Sequence, residues 1–288
     1  MSWRIRYHFL IILLVVSLLV AGILGGTVRN VYAINYGEPD GLHHPFVGVV
    51  AVYDDDGNFV TRGTGTLISP TVVLTAGHVT ALAQYGFNNH YVRVSFESDL
   101  SQFVLPPDYN DPAWVLLSYT GTPVTHPYYY DDWRYFPNTY DVGVIILDEP
   151  VYMDDYGELP DIGALNVLAT KRGLQNRIFT TVGYGFQSIK PFLQIDVVRY
   201  KATSMLVSLR SALTDGYNLH TSNNPGKGQG TGGSCFGDSG GPVFFDDTSV
   251  IAAIVSFGAN NNCKGADFAY RMDIPDSQNF VYGFLNPD

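Results

Sequence analysis

The sequence predicts an all-β fold made of many short strands, of the kind found in sandwiches and barrels. Apolar and β-branched runs recur about every 8 to 12 residues, with turn residues between them. Of 288 residues, 30 are glycine, 20 tyrosine and 17 phenylalanine, and only 15% are charged, which is typical of β-rich globular proteins. A chain of this length can hold one large domain or two small ones.

The first predicted strands follow one another closely. Apolar runs predict strands at residues 46–53, 64–69, 71–75 and 92–96. The segment Asp54–Gly57 predicts a turn after the first of them, and Pro70 joins the second to the third. Ala76–Val79 then ends the pair, which places His78 at the end of a strand.

The middle of the chain is less regular. Residues 99–137 carry several prolines and the aromatic cluster Tyr128–Phe136, and we predict long loops around one or two strands, with the cluster packing locally rather than contacting substrate. Tyr140–Leu147 predicts a strand with Asp141 at its start. The acidic, turn-rich segment Asp154–Pro160 predicts a linker.

A second β-rich half follows the linker. It begins at Thr180–Gly185, and the stretch Arg199–Leu213 is compatible with a strand or a short helix. A glycine-rich loop spans Asn223–Gly233. Two further strands and a short terminal helix are predicted at residues 243–245, 250–257 and 278–285.

The N-terminal residues predict a targeting segment. Arg4 and Arg6 precede the apolar run Phe9–Leu24, and Val31 and Ala33 suit cleavage by signal peptidase. We expect residues 1–33 to be a signal peptide, with an uncleaved membrane anchor as the alternative. In both cases the remaining chain lies outside the cytoplasm, where cysteines can oxidise.

Charge limits the possible partners. The formal net charge of −11 argues against nucleic acid, because phosphate contacts need clustered lysine and arginine. We expect no cofactor and no catalytic metal, and interpret the aspartates at 54–56 and 131–132 as solvated loop residues rather than calcium ligands. Contact with a membrane is expected only if the N-terminal segment stays uncleaved.

The most informative stretch is Gly233–Pro242, which places Ser239 among several glycines. Such a segment bends sharply while it presents one hydroxyl group. A serine becomes nucleophilic when a base takes its proton and an acid orients that base. The candidates are His78 and Asp141, since each lies at the edge of a predicted strand. Taken alone, each also fits an ordinary role, as a surface histidine and as a strand-end cap.

The same stretch satisfies Gly-x-Ser-x-Gly, the nucleophile elbow of α/β-hydrolases. Those enzymes place their histidine after the serine. No histidine follows Ser239, and the predicted strands do not alternate with helices. We therefore reject that fold.

Three motifs together resemble those of the trypsin/chymotrypsin-like serine proteases. They are Thr75–Val79 around the histidine, Asp141–Leu147, and Gly237–Pro242 around the serine. The resemblance implies two antiparallel six-stranded β-barrels with the active site in the cleft between them. The first barrel would span residues 34–160. The second would span residues 161–288, including the short C-terminal helix.

The resemblance also implies roles for the motif residues in a secreted serine endopeptidase acting on proteins or peptides. His78 would act as base, Asp141 would orient it, and Ser239 would attack the carbonyl carbon. The backbone N–H groups of Gly237 and Ser239 would form the oxyanion hole. A non-catalytic binding protein on this fold and an esterase with the same triad remain as alternatives.

Substrate-pocket residues follow from the same resemblance. Segment 256–258, comprising Ser256, Phe257 and Gly258, would pair with the substrate backbone. Gly233 stands at the pocket floor, where trypsin-type members have an acid, and Asp267 would lie on another wall. Specificity for basic or for large apolar residues therefore stays open.

Two pairings complete what the resemblance implies. Cys235 and Cys263 would form a disulfide across the pocket walls, with two free buried cysteines as the alternative. A new N-terminus at Ile34 would place its ammonium beside Asp238, with an ordinary linker and a turn cap as the alternative. The chain departs from the family at Val79, where a cysteine is common.

Overall fold

The protein is described by a computed structural model covering residues 34–129, 135–169, 177–224 and 230–285. The chain divides into two units, residues 1–30 and 31–288, and every described residue belongs to the second. The predicted signal peptide or anchor lies outside the described residues. In the described part of the chain, no helix has the length and apolar character needed to cross a bilayer.

Six antiparallel strands close into the first barrel, in the order β2-β3-β4-β7-β6-β5. Their apolar, β-branched sequences favour extended structure, and every residue of the first of them is buried. The strands of this half are β1 (Glu38–Pro39), β2 (Val47–Tyr53), β3 (Phe59–Ser69), β4 (Val72–Thr75), β5 (Val92–Ser95), β6 (Tyr119–Thr125) and β7 (Gly143–Leu147).

The second barrel follows the order β9-β10-β13-β12-β11-β8 and closes through pairing of β8 with β9. The short β1 adds to β9 from outside the ring. The strands of this half are β8 (Ile178–Gly183), β9 (Tyr200–Ser208), β10 (Asn218–Asn223), β11 (Pro242–Phe245), β12 (Ile251–Gly258) and β13 (Gly265–Arg271). The predicted all-β class with two six-stranded barrels is confirmed.

Three α-helices lie among the described residues: α1 (Gly77–Tyr85), α2 (Pro112–Val115) and α3 (Pro275–Leu285). Helix α2 begins where the Asp111 carboxylate accepts from the N–H groups of Ala113 and Trp114. Helix α3 confirms the predicted terminal helix. A 3₁₀ turn covers Asn166–Leu168.

Helix α1 corrects one prediction. Ala76–Val79 does not simply end a strand pair, because the chain enters a helix at Gly77 and places His78 in its first turn. The buried positions Val79, Thr80 and Ala83 share one face of this helix. The stretch from Arg199 resolves as strand β9.

The two halves exchange their ends. Asn35 forms a bridge with Gly233, and β1 pairs with β9, so the first described residues join the second barrel. Helix α3 lies against the first barrel, where Phe280 contacts the ring of His126.

Candidate active site

His78 and Asp141 meet at the edge of the first barrel. His78 lies in the first turn of helix α1, and Asp141 lies two residues before β7. The Nδ1 atom of His78 lies 3.0 Å from Oδ2 and 3.1 Å from Oδ1 of the carboxylate. The backbone N–H of His78 also donates to Oδ1, at 2.8 Å. Two contacts from one residue therefore fix the carboxylate against the ring.

The carboxylate of Asp141 is buried and negatively charged. Its residue is 4% exposed, and the hydroxyl of Ser256 donates to Oδ2. Burial alone would raise the pKa of Asp141, but the His78 ring and the donors from His78 and Ser256 outweigh it and hold the pKa below its ordinary value. A charged carboxylate beside Nδ1 stabilises a cationic imidazole.

Ser239 lies in a turn that is hydrogen-bonded to strands of both barrels. The N–H of Thr64, on β3, donates to the carbonyl of Ser239, and the N–H of Gly240 donates to the carbonyl of Val255 on β12. The hydroxyl of Thr64 donates to the carbonyl of Gly237. The turn is thus held in place from two sides.

Glycine is required at two positions of this turn. Gly237 and Gly240 have φ values of +95° and +80°, which other residues rarely adopt. A Cβ at Gly240 would lie 2.0 Å from Oγ1 of Thr75, and one at Gly237 would lie 3.0 Å from Cα of Gly185. Backbone conformation and crowding therefore both explain these glycines.

His78 and Ser239 line the same two cavities. The first has a volume of about 410 Å³ and contains the loop around Ser234, the segment 256–258 and Asp267. We call it the acyl pocket. The second has a volume of about 370 Å³ and extends towards β3 and α1.

Asp267 lies directly against Gly233, the residue predicted to form the pocket floor. A Cβ at Gly233 would lie 2.4 Å from Oδ2 of Asp267. The carboxylate accepts from Nδ2 of Asn223 at 2.9 Å and from the N–H of Ser234 at 2.6 Å. Burial raises the pKa of Asp267 to about 6, although these donors lower it. An acid therefore occupies the space that Gly233 leaves empty.

The other residues predicted to bind substrate lie close to Asp267. Gly258 pairs with Asp267 across β12 and β13, and the Phe257 ring stacks on Phe268 with 4.6 Å between centroids. Cys235 and Cys263 form a disulfide, so the pairing implied by the resemblance is confirmed. These contacts brace the wall of the acyl pocket.

Asp238 is fully buried behind the serine turn. Its carboxylate accepts from the N–H groups of Gly185 and Cys235, at 2.7 and 2.8 Å. Burial raises the pKa of Asp238 to about 7, against the lowering effect of these donors and of the charge on Arg62. Ile34 is also fully buried and packs with Tyr200.

Sequence reasoning missed the roles of three residues at the site. Ser256 supports Asp141 in addition to lining the acyl pocket. Thr64 braces the serine turn, and Arg62 reaches the back of Gly237, where a Cβ would lie 3.2 Å from its Nε atom. No local pattern indicates these contacts, because each joins residues that are far apart in the sequence.

Comparison with known proteins identifies the family. The family model described as Trypsin matches residues 39–276. The chain belongs to the trypsin family. The trypsin-family fold also recurs in solved structures, although no curated protein matches the sequence.

Three solved structures illustrate the likeness. HL collagenase is 19% identical, with 88% of this chain and 98% of that chain covered and a TM-score of 0.62. Human heparin binding protein is 18% identical, with 88% of this chain and 98% of that chain covered and a TM-score of 0.61. Neuropsin, a serine protease of mouse brain, is 16% identical, with 88% of this chain and 100% of that chain covered and a TM-score of 0.61. At these identities the likeness shows the fold alone.

Proposed function

We propose that this trypsin-family chain is a secreted serine endopeptidase that cleaves peptide bonds through an acyl-enzyme. The observation that carries the proposal is the contact between His78 and Asp141 beside cavities that Ser239 also lines. The targeting signal in residues 1–33 and the disulfide support secretion.

The proposed reaction begins when Oγ of Ser239 attacks the substrate carbonyl carbon. Because Nδ1 of His78 faces Asp141, Nε2 takes the serine proton and passes it to the leaving amine. The N–H groups of Gly237 and Ser239 would stabilise the oxyanion, at about 3–4 kcal/mol for each donor. Water then attacks the acyl-enzyme and restores Ser239.

A fluorophosphonate probe tests this function. The probe should label the secreted protein and leave Ser239→Ala unlabelled, and only the labelled protein should digest casein. The exposed Ser101 provides the matched control, Ser101→Ala, which should behave as wild type. An unlabelled, inactive wild-type protein would instead favour the binding function.

Ester and amide substrates separate the two catalytic alternatives. An endopeptidase should hydrolyse a peptide and the corresponding ester, whereas an esterase should hydrolyse the ester alone. A polyanion-binding role has little support in this chain, because its net charge of −11 opposes contact with sulfated sugars.

We further propose that the acyl pocket prefers lysine or arginine before the scissile bond. Asp267 supports this preference, because its buried carboxylate lines the pocket and fills the space that the missing side chain of Gly233 leaves. Asp267→Ala should lower kcat/KM for lysyl substrates by roughly 10- to 150-fold, which corresponds to about 1.5–3 kcal/mol of transition-state stabilisation, with little effect on leucyl substrates. Equal rates in Asp267→Ala and wild type would leave the large apolar alternative.

The pH dependence offers an independent test. Asp267 has a raised pKa of about 6, so its charge appears as the pH rises through that value. The ratio of kcat/KM for lysyl over leucyl substrates should therefore increase from pH 5 to pH 7, because effects of pH on the shared catalytic groups cancel in the ratio. Asp267→Ala should flatten this dependence, while Asp246→Ala, at an exposed position, should preserve it.

A further inference from the structure

The second cavity beside Ser239 has no role in the function proposed so far. It shares His78, Phe236 and Ser239 with the acyl pocket. Its other walls come mainly from β3, α1, Leu105 and segment 186–195. The two cavities therefore extend from the serine towards different elements. We call the second one the leaving-group cavity.

The walls of the leaving-group cavity are mainly apolar. They include Val79, Leu82, Leu105, Phe186 and Phe236. Phe236 is 50% exposed, Leu105 41% and Leu82 37%. Large apolar side chains that stay exposed around a concave site indicate binding of an apolar group.

Val79 contributes to the shape of this cavity. A Cβ at Gly63 would lie only 2.9 Å from Cγ2 of Val79, so the valine packs closely against β3. The position where the family commonly has a cysteine thus presents a hydrocarbon surface next to His78.

One residue gives the cavity a positive charge. Arg62 lines it and is 6% exposed, and within the described chain its three guanidinium nitrogens have no hydrogen-bond partner. Its Cζ atom lies 5.6 Å from the ring centroid of Phe186. Burial lowers the pKa of Arg62 to about 10, so the group remains cationic at neutral pH. The carboxylates of Asp238 and Asp196 offset this charge only in part, because burial raises the pKa of both acids. A second cation entering the cavity would therefore still meet repulsion.

We propose that the leaving-group cavity binds the residue that directly follows the scissile bond, selecting large apolar side chains and rejecting lysine and arginine. The proposal rests on the proposed function, because the residue before the bond occupies the acyl pocket. Ser239 lies where the two cavities meet, so the chain beyond the bond leaves through the second. Selection then combines an attractive apolar wall with a repulsive charge.

Acyl transfer to amino-acid amides tests the cavity directly. The acyl-enzyme is formed from an ester substrate, and water and an added amide compete for it. The amine nitrogen attacks the acyl carbon, the bond to Oγ of Ser239 breaks, and the amine proton passes through His78 to Oγ. The ratio of peptide to hydrolysis product measures how well each amide occupies the cavity.

Leucine amide and phenylalanine amide should be about tenfold or more better acceptors than glycine amide, since burying such side chains is favourable. Lysine amide and arginine amide should be poorer acceptors than glycine amide. Equal partition of all five amides by an active enzyme would overturn the proposal. An enzyme that forms no acyl-enzyme would instead contradict the proposed function, which separates the two failures.

Two pairs of variants assign the effect to the cavity walls. Leu105→Ser should reduce the preference for leucine amide several-fold, while Val104→Ser, at an exposed neighbour outside the cavity, should retain it. Arg62→Met should make lysine amide a better acceptor, while Arg210→Met, on the exposed surface, should not. Unaltered partition in Leu105→Ser or Arg62→Met would contradict the assigned role, and fluorophosphonate labelling verifies that each variant is folded.

Discussion

At the scale of single residues, the charge on Asp141 depends on contacts from three elements. Both contacts from His78 come from helix α1, and the hydroxyl of Ser256 comes from β12. The carboxylate itself lies two residues before β7. These donors overcome the cost of burial and keep the acid ionised. Replacing the carboxylate by an amide should therefore disturb the tautomer of His78 more than the fold.

Asp141→Asn should lower kcat by about four orders of magnitude, as expected when the histidine of such a triad is held in the wrong tautomer. Stopped-flow or discontinuous peptide assays would measure the loss, and the circular dichroism spectrum should stay unchanged. Asp155→Asn, at an exposed aspartate, is the matched control. A loss below tenfold in Asp141→Asn would contradict the role proposed for this residue.

The sequence predicts the residues whose chemistry leaves a local pattern. Ser239 is identifiable because a run of glycines surrounds it, and Cys235 and Cys263 because no other cysteine is present. The second role of Ser256 and the position of Arg62 leave no such pattern. Their partners lie more than 100 residues away in the sequence, so they emerge only when the barrels are packed together.

At the scale of elements, the turn around Ser239 is the most constrained part of the site. Gly240 has a φ of +80°, and Gly216, in a surface turn, has a φ of +83°. A Cβ at Gly240 would collide with Thr75 and approach Thr64, whereas one at Gly216 would meet nothing within 4 Å. The two positions share backbone strain and differ in packing.

Gly240→Ala should consequently destabilise the protein by roughly 3 kcal/mol or more beyond Gly216→Ala, because overpacking adds to a common backbone cost. Urea unfolding of both variants would measure the difference. Peptidase activity should fall in Gly240→Ala and persist in Gly216→Ala. Equal unfolding midpoints would show that the serine turn can move away from β3.

Elements with strong apolar patterns are well predicted, and polar ones are not. Val47–Tyr53 and Ile251–Gly258 appear close to the predicted ranges. Strand β10 was not predicted, because Asn218–Asn223 is mostly polar and its pairing with β9 and β13 decides its structure. Helix α1 was missed because its nine residues give a short and weak helical period.

At the scale of the whole molecule, the first described residues pack against the second barrel. Ile34 is buried against β9, and Asn35 forms a bridge with Gly233. Asp238 is buried with two N–H donors and a pKa raised to about 7. None of the contacts described for Asp238 involves Ile34, so compensation of Asp238 by an ammonium on Ile34 stays a prediction for a protein that begins at Ile34.

The sign of the pH dependence follows from the raised pKa of Asp238. Folding favours the neutral form of Asp238. The residue therefore contributes its full stabilisation to the folded state below about pH 4. This contribution is lost as the pH rises towards 7, by on the order of 4 kcal/mol. A protein that starts at Ile34 should avoid this loss while its ammonium is protonated. It should therefore melt higher at pH 7.5 than a protein that starts at Ala33, with a smaller difference at pH 5.

Differential scanning calorimetry of the two proteins would measure this effect. The protein that starts at Ala33 is the matched control, because one extra residue moves the ammonium away from Asp238 while the composition barely changes. Asp238→Asn in both backgrounds should remove the difference. An identical gap at both pH values would contradict compensation of Asp238 by Ile34.

The exchange of ends between the barrels bears on how the protein folds. Residues 38 and 39 can pair only when β9 is in place, and Phe280 can contact His126 only when helix α3 has formed. Each barrel therefore takes its last contacts from the opposite end of the chain. The cleft between the barrels is complete only when both have folded, so we expect the candidate active site to be the last part of the protein to form.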